Sequence, residues 1–208
     1  MPKDTFFNLS IEKRQRIIDM AIDEFAKYSY DKVSISKIVD KAEIAKGSFY
    51  QYFEDKKDLY KYLLLNVIVE KKVNYLSHFT LKMQEESFFE VLKALYIAGI
   101  NFAKDNPKLA EISDHFTKNT DDNLKKEIYD GSIPKSNALL EGLLLKGIAK
   151  GDLNPDIDIK LTAYILTSLT ISIGEYFIKE LKVEDDMEIM TLIDNMLLIF
   201  EKGIKNKG

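Results

Sequence analysis

The chain has 208 residues, of which 46% are hydrophobic and 31% are charged, and this supplies enough apolar material for a sizeable core. The formal net charge of −4 excludes a protein that coats nucleic acid nonspecifically, because such binding depends on neutralising many phosphates, so any DNA contact must be local. The absence of cysteine excludes disulfides, thiolate metal sites and cysteine nucleophiles.

Apolar residues recur at helical spacing and only four prolines punctuate the chain, so the expected fold is all-α with about nine helices. Ser10, Ser34 and Asp55 are the expected caps of the first, second and fourth helices. The sixth helix is expected to begin at Pro107. The other helices have approximate ranges of 10–28, 34–42, 46–53, 55–78, 88–104, 124–150, 157–181 and 187–205.

Two features of the second half of the chain concern helix ends. The seventh helix contains Gly131 and Pro134, so it is expected either to run unbroken or to be interrupted there. Gly151 supplies its stop, and Asn154 with Pro155 forms the turn into the eighth helix.

The longest uncharged run, residues 161–174, is shorter than the roughly 20 apolar residues that cross a bilayer, so a buried helix is expected.

The two short helices at 34–42 and 46–53, joined by a tight turn, resemble a helix-turn-helix. On a helical wheel of the second one, Phe49 and Phe53 share one side and the polar residues spread over the other. Gly47 lies on that polar side, although glycine in a helix costs about 1 kcal/mol relative to alanine. Close approach of the helix backbone to another surface, such as the major groove of DNA, would explain why a glycine lies there.

The polar side of this helix carries groups suited to DNA. Tyr50 can place its ring on a thymine methyl and its hydroxyl on a phosphate, Ser48 can donate to phosphate, and Lys46 lies at the helix start. Further phosphate contacts are expected from three residues nearby, namely Ser36, Lys37 and Lys56. Each lysine alone is better explained as a solvated side chain, and only the set indicates DNA binding.

This stretch resembles the N-terminal motif of the tetracycline-repressor (TetR) family. The resemblance is carried by Ile38-Val39, Ala42, Lys46-Gly47-Ser48-Phe49-Tyr50-Gln51-Tyr52-Phe53, Lys56 and Leu59. It implies a three-helix DNA-binding domain at 1–55 and a larger effector-binding and dimerisation domain at 56–208. The DNA contacts that it implies are Ser36, Lys37, Lys46, Gly47, Ser48, Tyr50, Tyr52 and Lys56.

Two residues depart from the family pattern. Glu43 stands where the family usually has a glycine in the turn, and this makes the turn geometry an open question. Ala45 stands where a serine or threonine usually caps the recognition helix, a cap typically worth ~1 kcal/mol. Neither departure removes a side chain that would face the groove.

The resemblance also implies a dimer, because the family's last two helices form a four-helix interface. The interface residues expected from it are Leu161, Ile165, Ser168, Ser172, Ile193, Leu197 and Phe200. It further implies an effector pocket among helices four to seven. The candidate pocket residues, each of which could instead be packed core, are Tyr62, Leu95, Tyr96, Gly99, Phe102, His115, Phe116, Tyr129, Tyr164 and Tyr176.

The function expected is therefore that of a cytoplasmic prokaryotic transcription regulator, a repressor that binds a palindromic operator as a homodimer. A small apolar or amphipathic effector would release it, with no cofactor, metal or membrane partner. An enzyme is not expected, because the two histidines have no metal-ligand spacing and no phosphate loop or nucleophile elbow is present. The alternative is an all-helical small-molecule carrier or protein-interaction module that does not bind DNA.

Overall fold

The computed structural model describes residues 1–82, 85–176 and 186–204. The elements in these ranges are helical, which confirms the all-α prediction. A short 3₁₀ turn, Tyr30–Lys32, separates the second and third helices. The α-helices are α1 Asp4–Phe7, α2 Ile11–Lys27, α3 Ile35–Lys41, α4 Lys46–Tyr52, α5 Lys56–Tyr62, α6 Val69–Lys82, α7 Phe88–Asp105, α8 Pro107–Asn119, α9 Asp122–Lys150, α10 Ile159–Tyr176 and α11 Asp186–Ile204.

The expected number of about nine helices is too low, since the described ranges contain eleven, for two local reasons. The short α1 precedes the first expected helix. The expected fourth helix is interrupted by a π-helical stretch at Leu63–Ile68, here called the π segment, which separates α5 from α6 without a gap in the chain. A π turn changes the hydrogen-bond pattern of a helix without ending it.

Side-chain caps set the starts of three helices, as the sequence predicts. The Ser10 hydroxyl accepts a hydrogen bond from the Lys13 amide, and the Ser34 hydroxyl accepts one from the Lys37 amide. The Asp55 carboxylate caps α5 in the same way, and its Oδ1 lies 2.8 Å from the Asp58 nitrogen. Each bond satisfies an amide that the helix itself leaves unpaired.

The chain forms two compact units, of which the first consists of Met1–Lys71 and Ala103–Ile128. In this unit α8 packs on α2, and α3 packs on both α2 and α4. The first unit therefore contains the helix-turn-helix region together with α5, the π segment and α8. Its most deeply buried side chains are Phe6, Ile17, Ala21, Phe25, Ile38, Phe49, Phe53, Leu59, Tyr60, Leu63 and Ile112.

The second unit consists of Lys72–Phe102 and Tyr129–Gly208. Its described core is aliphatic, apart from one phenylalanine. The buried residues are Phe88, Val91, Leu92, Leu95, Leu140, Leu143, Leu144, Leu153, Ala163, Leu166, Ile193 and Leu197. Gly147 lies in this core, and a Cβ atom there would come within 2.9 Å of Leu153 Cδ1, so the close packing requires glycine.

The helix α9 runs unbroken through Pro134, whose side chain is exposed. Proline removes one amide donor from the helix, and an exposed position lets water reach the freed carbonyl. The helix ends at Gly151, which has φ +83°, as predicted for a glycine stop. The following turn is held by the Asn154 amide, which donates to the Ile204 carbonyl at 3.0 Å.

Candidate nucleic-acid interface

The turn between α3 and α4 forms despite the missing glycine. Glu43 adopts φ +56°, a conformation that typically costs a residue with a Cβ about 1–2 kcal/mol. Arg16 of α2 braces the turn, because its Nε donates to the Ala42 carbonyl at 3.0 Å and its Nη1 lies 3.8 Å from Glu43 Oε2. The role of Arg16 cannot be predicted from the sequence, since a contact between residues 26 positions apart has no local signature.

The start of α4 has no side-chain cap. Ala45 has the extended backbone of an N-cap residue, and the Ser48 amide donates to its carbonyl at 2.9 Å, but the alanine side chain offers no acceptor. This helix, the expected recognition helix, has only seven residues, and it lacks an N-terminal side-chain cap, which is typically worth ~1 kcal/mol. Its position must depend on packing and on its C-terminal end.

One face of α4 is open and the other is buried. Phe49 is fully buried, whereas Lys46, Gly47 and Tyr50 are exposed and Ser48 is half-buried. Tyr50 is 45% exposed, so an aromatic ring stands on the surface beside a glycine and a lysine. Four of the five α4 residues predicted to contact DNA are therefore accessible to a ligand.

Tyr52, the fifth, is buried. It is only 6% exposed, and its ring centroid lies 6.3 Å from that of Phe6. Tyr52 is three positions after Phe49 and four after Ser48, so it lies between the buried side and the polar side of α4. The Tyr52 ring therefore contributes to the packing of the domain, and its contact with DNA stays a prediction.

Nothing in the part of the chain that the structure describes requires a glycine at position 47. Apart from the adjoining residues and the backbone of the helix itself, no described atom lies within 4 Å of a Cβ built there, and the φ of Gly47 is not in the left-handed region. An alanine would fit and would favour the helix. The space above Gly47 is therefore consistent with a binding surface that the backbone approaches closely.

The remaining predicted contacts lie on α3 and α5. Ser36 is half-buried and Lys37 is exposed on α3, with the Lys37 Nζ 4.9 Å from the centre of the Tyr28 ring. Lys56 has partners inside the protein, because its Nζ donates to the Asp31 and Val33 carbonyls at 3.2 and 3.3 Å. Its position is therefore explained without DNA.

The predicted effector residues divide between the two units. In the first unit, Tyr62 packs edge-on against Phe6, and Phe116 is buried on α8. His115 Nε2 lies 3.2 Å from the Ala26 carbonyl, so the ring ties α8 to the last turn of α2. Lys108 of α8 also pairs with Asp23 of α2 at 2.6 Å, so two polar contacts join α8 to α2.

In the second unit, Leu95 and Phe102 are buried and Tyr129 is half-buried. The Tyr96 hydroxyl lies 2.7 Å from Thr170 Oγ1, and burial raises the pKa of Tyr96, so it is a neutral hydrogen-bonding group. Tyr164 is exposed, a Cβ at Gly99 would meet open space, and the side chain of Tyr176 lies outside the described residues.

A cleft of about 410 Å³ opens in the second unit, and none of its lining residues belongs to the predicted effector set. Its floor is apolar and its rim carries charges of both signs. The lining residues are Glu85, Glu86, Phe88, Val91, Leu143, Lys146, Gly147, Ala149, Lys150 and Asp152. The Lys150 Nζ donates to the Glu86 carbonyl at 2.9 Å, so part of this rim is already engaged within the protein.

The helices α10 and α11 expose large apolar side chains. These are Leu161, Tyr164, Ile165 and Leu169 on α10, and Met187, Leu198 and Ile199 on α11, here called the apolar face. Of the predicted interface residues, Leu161, Ile165 and Ser172 are exposed and Ser168 and Phe200 are half-buried. Ile193 and Leu197 are buried in the core of their own unit, which leaves them no surface for a partner.

Comparison with known proteins agrees with this geometry. The family model described as bacterial regulatory proteins, tetR family, matches residues 17–63, which include α3 and α4. A TetR family transcriptional regulator of known structure from Chloroflexus aurantiacus J-10-FL is 33% identical, covers 100% of both chains and has a TM-score of 0.58. The chain belongs to the TetR family. This confirms the family and the class of function predicted from the sequence, a ligand-responsive DNA-binding transcription regulator.

Two further relatives are similar over most of this TetR-family chain. The fatty acid metabolism regulator protein of Bacillus subtilis (strain 168) is 24% identical over 196 residues, which cover 94% of this chain and 97% of the relative. The structure of the transcriptional regulator FadR from Bacillus subtilis in complex with stearoyl-CoA is 21% identical, covers 88% and 96% of the two chains and has a TM-score of 0.64.

These findings do not favour the alternative of a helical carrier without DNA binding, because the matched relatives are transcription regulators. Among the described helices of this TetR-family protein, none is long and apolar enough to span a membrane.

Proposed function

We propose that this TetR-family protein is a repressor that binds a palindromic operator as a homodimer and is released by a small apolar or amphipathic effector. The observation that carries the proposal is the open face of α4, where Lys46, Gly47 and Tyr50 are exposed together on a helix whose other face is buried. A helix with such a face fits the major groove of B-DNA, which is wide enough to admit it.

The side chains have distinct roles in the proposed complex. Tyr50 contacts a base edge through its ring, Ser48 and Lys46 contact phosphates, and Gly47 lets the backbone approach the groove. On α3, Ser36 and Lys37 contact the flanking backbone. The proposed DNA-binding domain is 1–55, and Lys56 at its boundary contributes by holding the Asp31 and Val33 carbonyls.

The proposed dimer forms through the apolar face of α10 and α11. An exposed set of this kind, with side chains such as Ile165 and Ile199, is typical of a protein–protein interface rather than of a monomer surface. Ser168 and Ser172 on α10 have small side chains, which allow close packing against a helix of the partner. A two-fold dimer would present two copies of α4 to successive turns of one DNA face, about 34 Å apart.

The proposed effector is an apolar or amphipathic molecule that binds in the domain following residue 55. The aromatic residues predicted for its site, among them Tyr96 and Phe102, favour an apolar ligand. The complex of the Bacillus subtilis relative with stearoyl-CoA supports a ligand with a long acyl chain. The chain is proposed to act in the cytoplasm, where its DNA lies, and to catalyse no reaction.

The proposed route of coupling runs through the helix that leaves the DNA-binding domain. The π segment lies in this helix, and Asn66 Oδ1 within it is buried with no hydrogen-bond partner among the described residues. Such π turns often occur at functional sites, and a less regular hydrogen-bond ladder is easier to rearrange. We propose that the π segment is a hinge between α5 and α6. Bending at this hinge on ligand binding would change the separation of the two recognition helices of the dimer.

A second link within the first unit joins the start of α9 to α5. Glu127 pairs with Lys57 and Lys61 at 3.3 and 3.1 Å, and these hydrogen bonds hold the pKa of Glu127 below its ordinary value. Exposed ion pairs contribute little to stability. Their proposed contribution is to orientation, since a movement of α9 would act directly on α5.

The experiment that tests the proposed function is fluorescence anisotropy with DNA from upstream of the protein's own gene, compared with scrambled DNA over a salt series. We expect saturable binding with a clear preference for the native fragment and an affinity that falls as salt rises. Acyl-CoA esters of increasing chain length are then added, and the longest are expected to release the DNA. Equal affinity for both fragments at every salt concentration would refute the proposal.

The substitution Gly47→Ala tests close approach of the backbone to DNA. We expect operator affinity to fall roughly tenfold, comparable with the ~1–3 kcal/mol of one mismatched base pair, because the added methyl group would meet the groove. The free energy of unfolding should rise by up to about 1 kcal/mol, since alanine favours the helix.

The matched control is Gly142→Ala on α9, another exposed helical glycine whose Cβ would meet open space. It should give a similar gain in stability and leave operator affinity unchanged. If both alanine variants bind the operator as tightly as the wild type, Gly47 does not face DNA.

A further inference from the structure

The last turn of α4 is capped by residues 3–6, here called the clamp segment. The Lys3 amide donates to the Tyr52 carbonyl at 2.8 Å, and the Lys3 Nζ donates to the Tyr50 carbonyl at 3.0 Å. The Thr5 hydroxyl donates to the Gln51 carbonyl. Three consecutive carbonyls at the C-terminal end of the recognition helix thus receive hydrogen bonds from a segment about 46 residues earlier in the chain.

These carbonyls are the acceptors that a helix cannot satisfy by itself. The Lys3 ammonium is also a cation at the negative end of the helix dipole, which is a favourable position. Because Ala45 provides no side-chain cap at the other end, α4 is held mainly from its C-terminal side. A helix of seven residues is too short to be stable without such partners.

An aromatic anchor fixes the clamp segment. Phe6 is fully buried, and its ring centroid lies 4.9 Å from that of Phe53 and 5.5 Å from that of Tyr62. Tyr52, the last residue of α4, packs on the same ring. The buried Phe6 ring therefore fixes the position of Lys3 and Thr5 relative to α4, so that their hydrogen bonds to its carbonyls can form.

We propose that Lys3 and Thr5 are positioning residues for operator recognition: they hold the recognition helix in its DNA-reading orientation without touching DNA. The proposal rests on the proposed function for its effect on affinity. The clamp segment bonds the backbone carbonyls of the last turn of α4. The proposed base and phosphate contacts are made instead by the side chains of Lys46, Ser48 and Tyr50. Loss of the clamp should therefore loosen α4 and weaken operator binding while the phosphate contacts stay the same in number.

The experiment compares Thr5→Val with Ser10→Ala. Thr5→Val removes the hydroxyl that bonds the Gln51 carbonyl and keeps the side-chain shape. Ser10→Ala is the matched control, because it removes one exposed hydrogen bond from the same unit, the cap of α2 to the Lys13 amide. Both variants should lose similar stability on unfolding, since one hydrogen bond is lost in each.

Operator affinity should separate the two variants. We expect Thr5→Val to weaken binding about fivefold per half-site, the equivalent of one hydrogen bond, and Ser10→Ala to leave it within twofold. The slope of log affinity against log salt should be unchanged in Thr5→Val and in a second variant, Lys3→Met. A slope reduced by about one per half-site in Lys3→Met would show a lost phosphate contact and overturn the positioning role.

Amide hydrogen exchange in the free dimer tests the clamp independently of DNA. Exchange at residues 49–53 should be about fivefold faster in Thr5→Val and unchanged in Ser10→Ala. Unchanged exchange in Thr5→Val would refute the clamp even if the operator is bound. If the wild type prefers no DNA but Thr5→Val still exchanges faster, the proposed function fails while the clamp on α4 stands.

Discussion

The double variant Ile165→Glu with Ile199→Glu is expected to be a monomer that binds the operator at least ~100-fold more weakly than the wild type. Both isoleucines belong to the apolar face and are 42% and 73% exposed in the single chain. Burying a carboxylate in an apolar interface is costly, so the dimer should separate. Each protomer would then bind one half-site alone, without the effective concentration that the second provides.

Analytical ultracentrifugation measures whether the double variant is a monomer, and fluorescence anisotropy on the full operator measures its loss of affinity. The matched control is Leu145→Glu, which places a carboxylate on α9 at a leucine that is 55% exposed and outside the apolar face. The control should stay dimeric and bind normally. A double variant that sediments as a dimer would show that this face is not the interface.

Replacing Tyr50 with alanine is expected to weaken operator binding by roughly 10- to 100-fold, on the scale of 1–3 kcal/mol for a good base contact. Tyr50 is 45% exposed and its ring contacts that of Phe49 at an edge, so the fold has little need of it. The free energy of unfolding should change by less than about 0.5 kcal/mol, as for most surface substitutions.

The conservative variant Tyr50→Phe separates the two roles proposed for this residue. It keeps the ring for a base contact and loses the hydroxyl that would reach a phosphate, so its affinity should lie between those of the wild type and Tyr50→Ala. Leu145→Ala, another truncation of an exposed side chain, serves as the control and should have no effect. Unchanged affinity in Tyr50→Ala would exclude the open face of α4 as the base-reading surface.

Features that depend on neighbouring residues could be predicted from the sequence alone. The caps at Ser10, Ser34 and Asp55 each join a side chain to an amide three positions later, and the structure has all three. The helix stop at Gly151 is equally local. The family could also be identified, because the helix-turn-helix motif is contiguous and its positions are set by helical periodicity.

Features that depend on distant residues could not be predicted in this way. The wheel for α4 separated Phe49 from Tyr50, but only the packing of Phe6 shows that Tyr52 is buried. The partners of Lys56 are equally distant in the chain, because its Nζ bonds the Asp31 and Val33 carbonyls in the connection between α2 and α3. Hydrophobic periodicity likewise does not distinguish a protomer core residue such as Leu197 from an interface residue.

The sequence by itself therefore determined the helical fold, the family and the polar face of the recognition helix, because each follows from residue type and spacing along one helix. Only the tertiary structure decided how that helix is held. Arg16 braces the turn that lacks glycine, and Lys3 and Thr5 cap the end of a helix that lacks an N-terminal cap. These contacts join residues 26 to 49 positions apart, and their geometry exists only once α1, α2 and α4 have packed together.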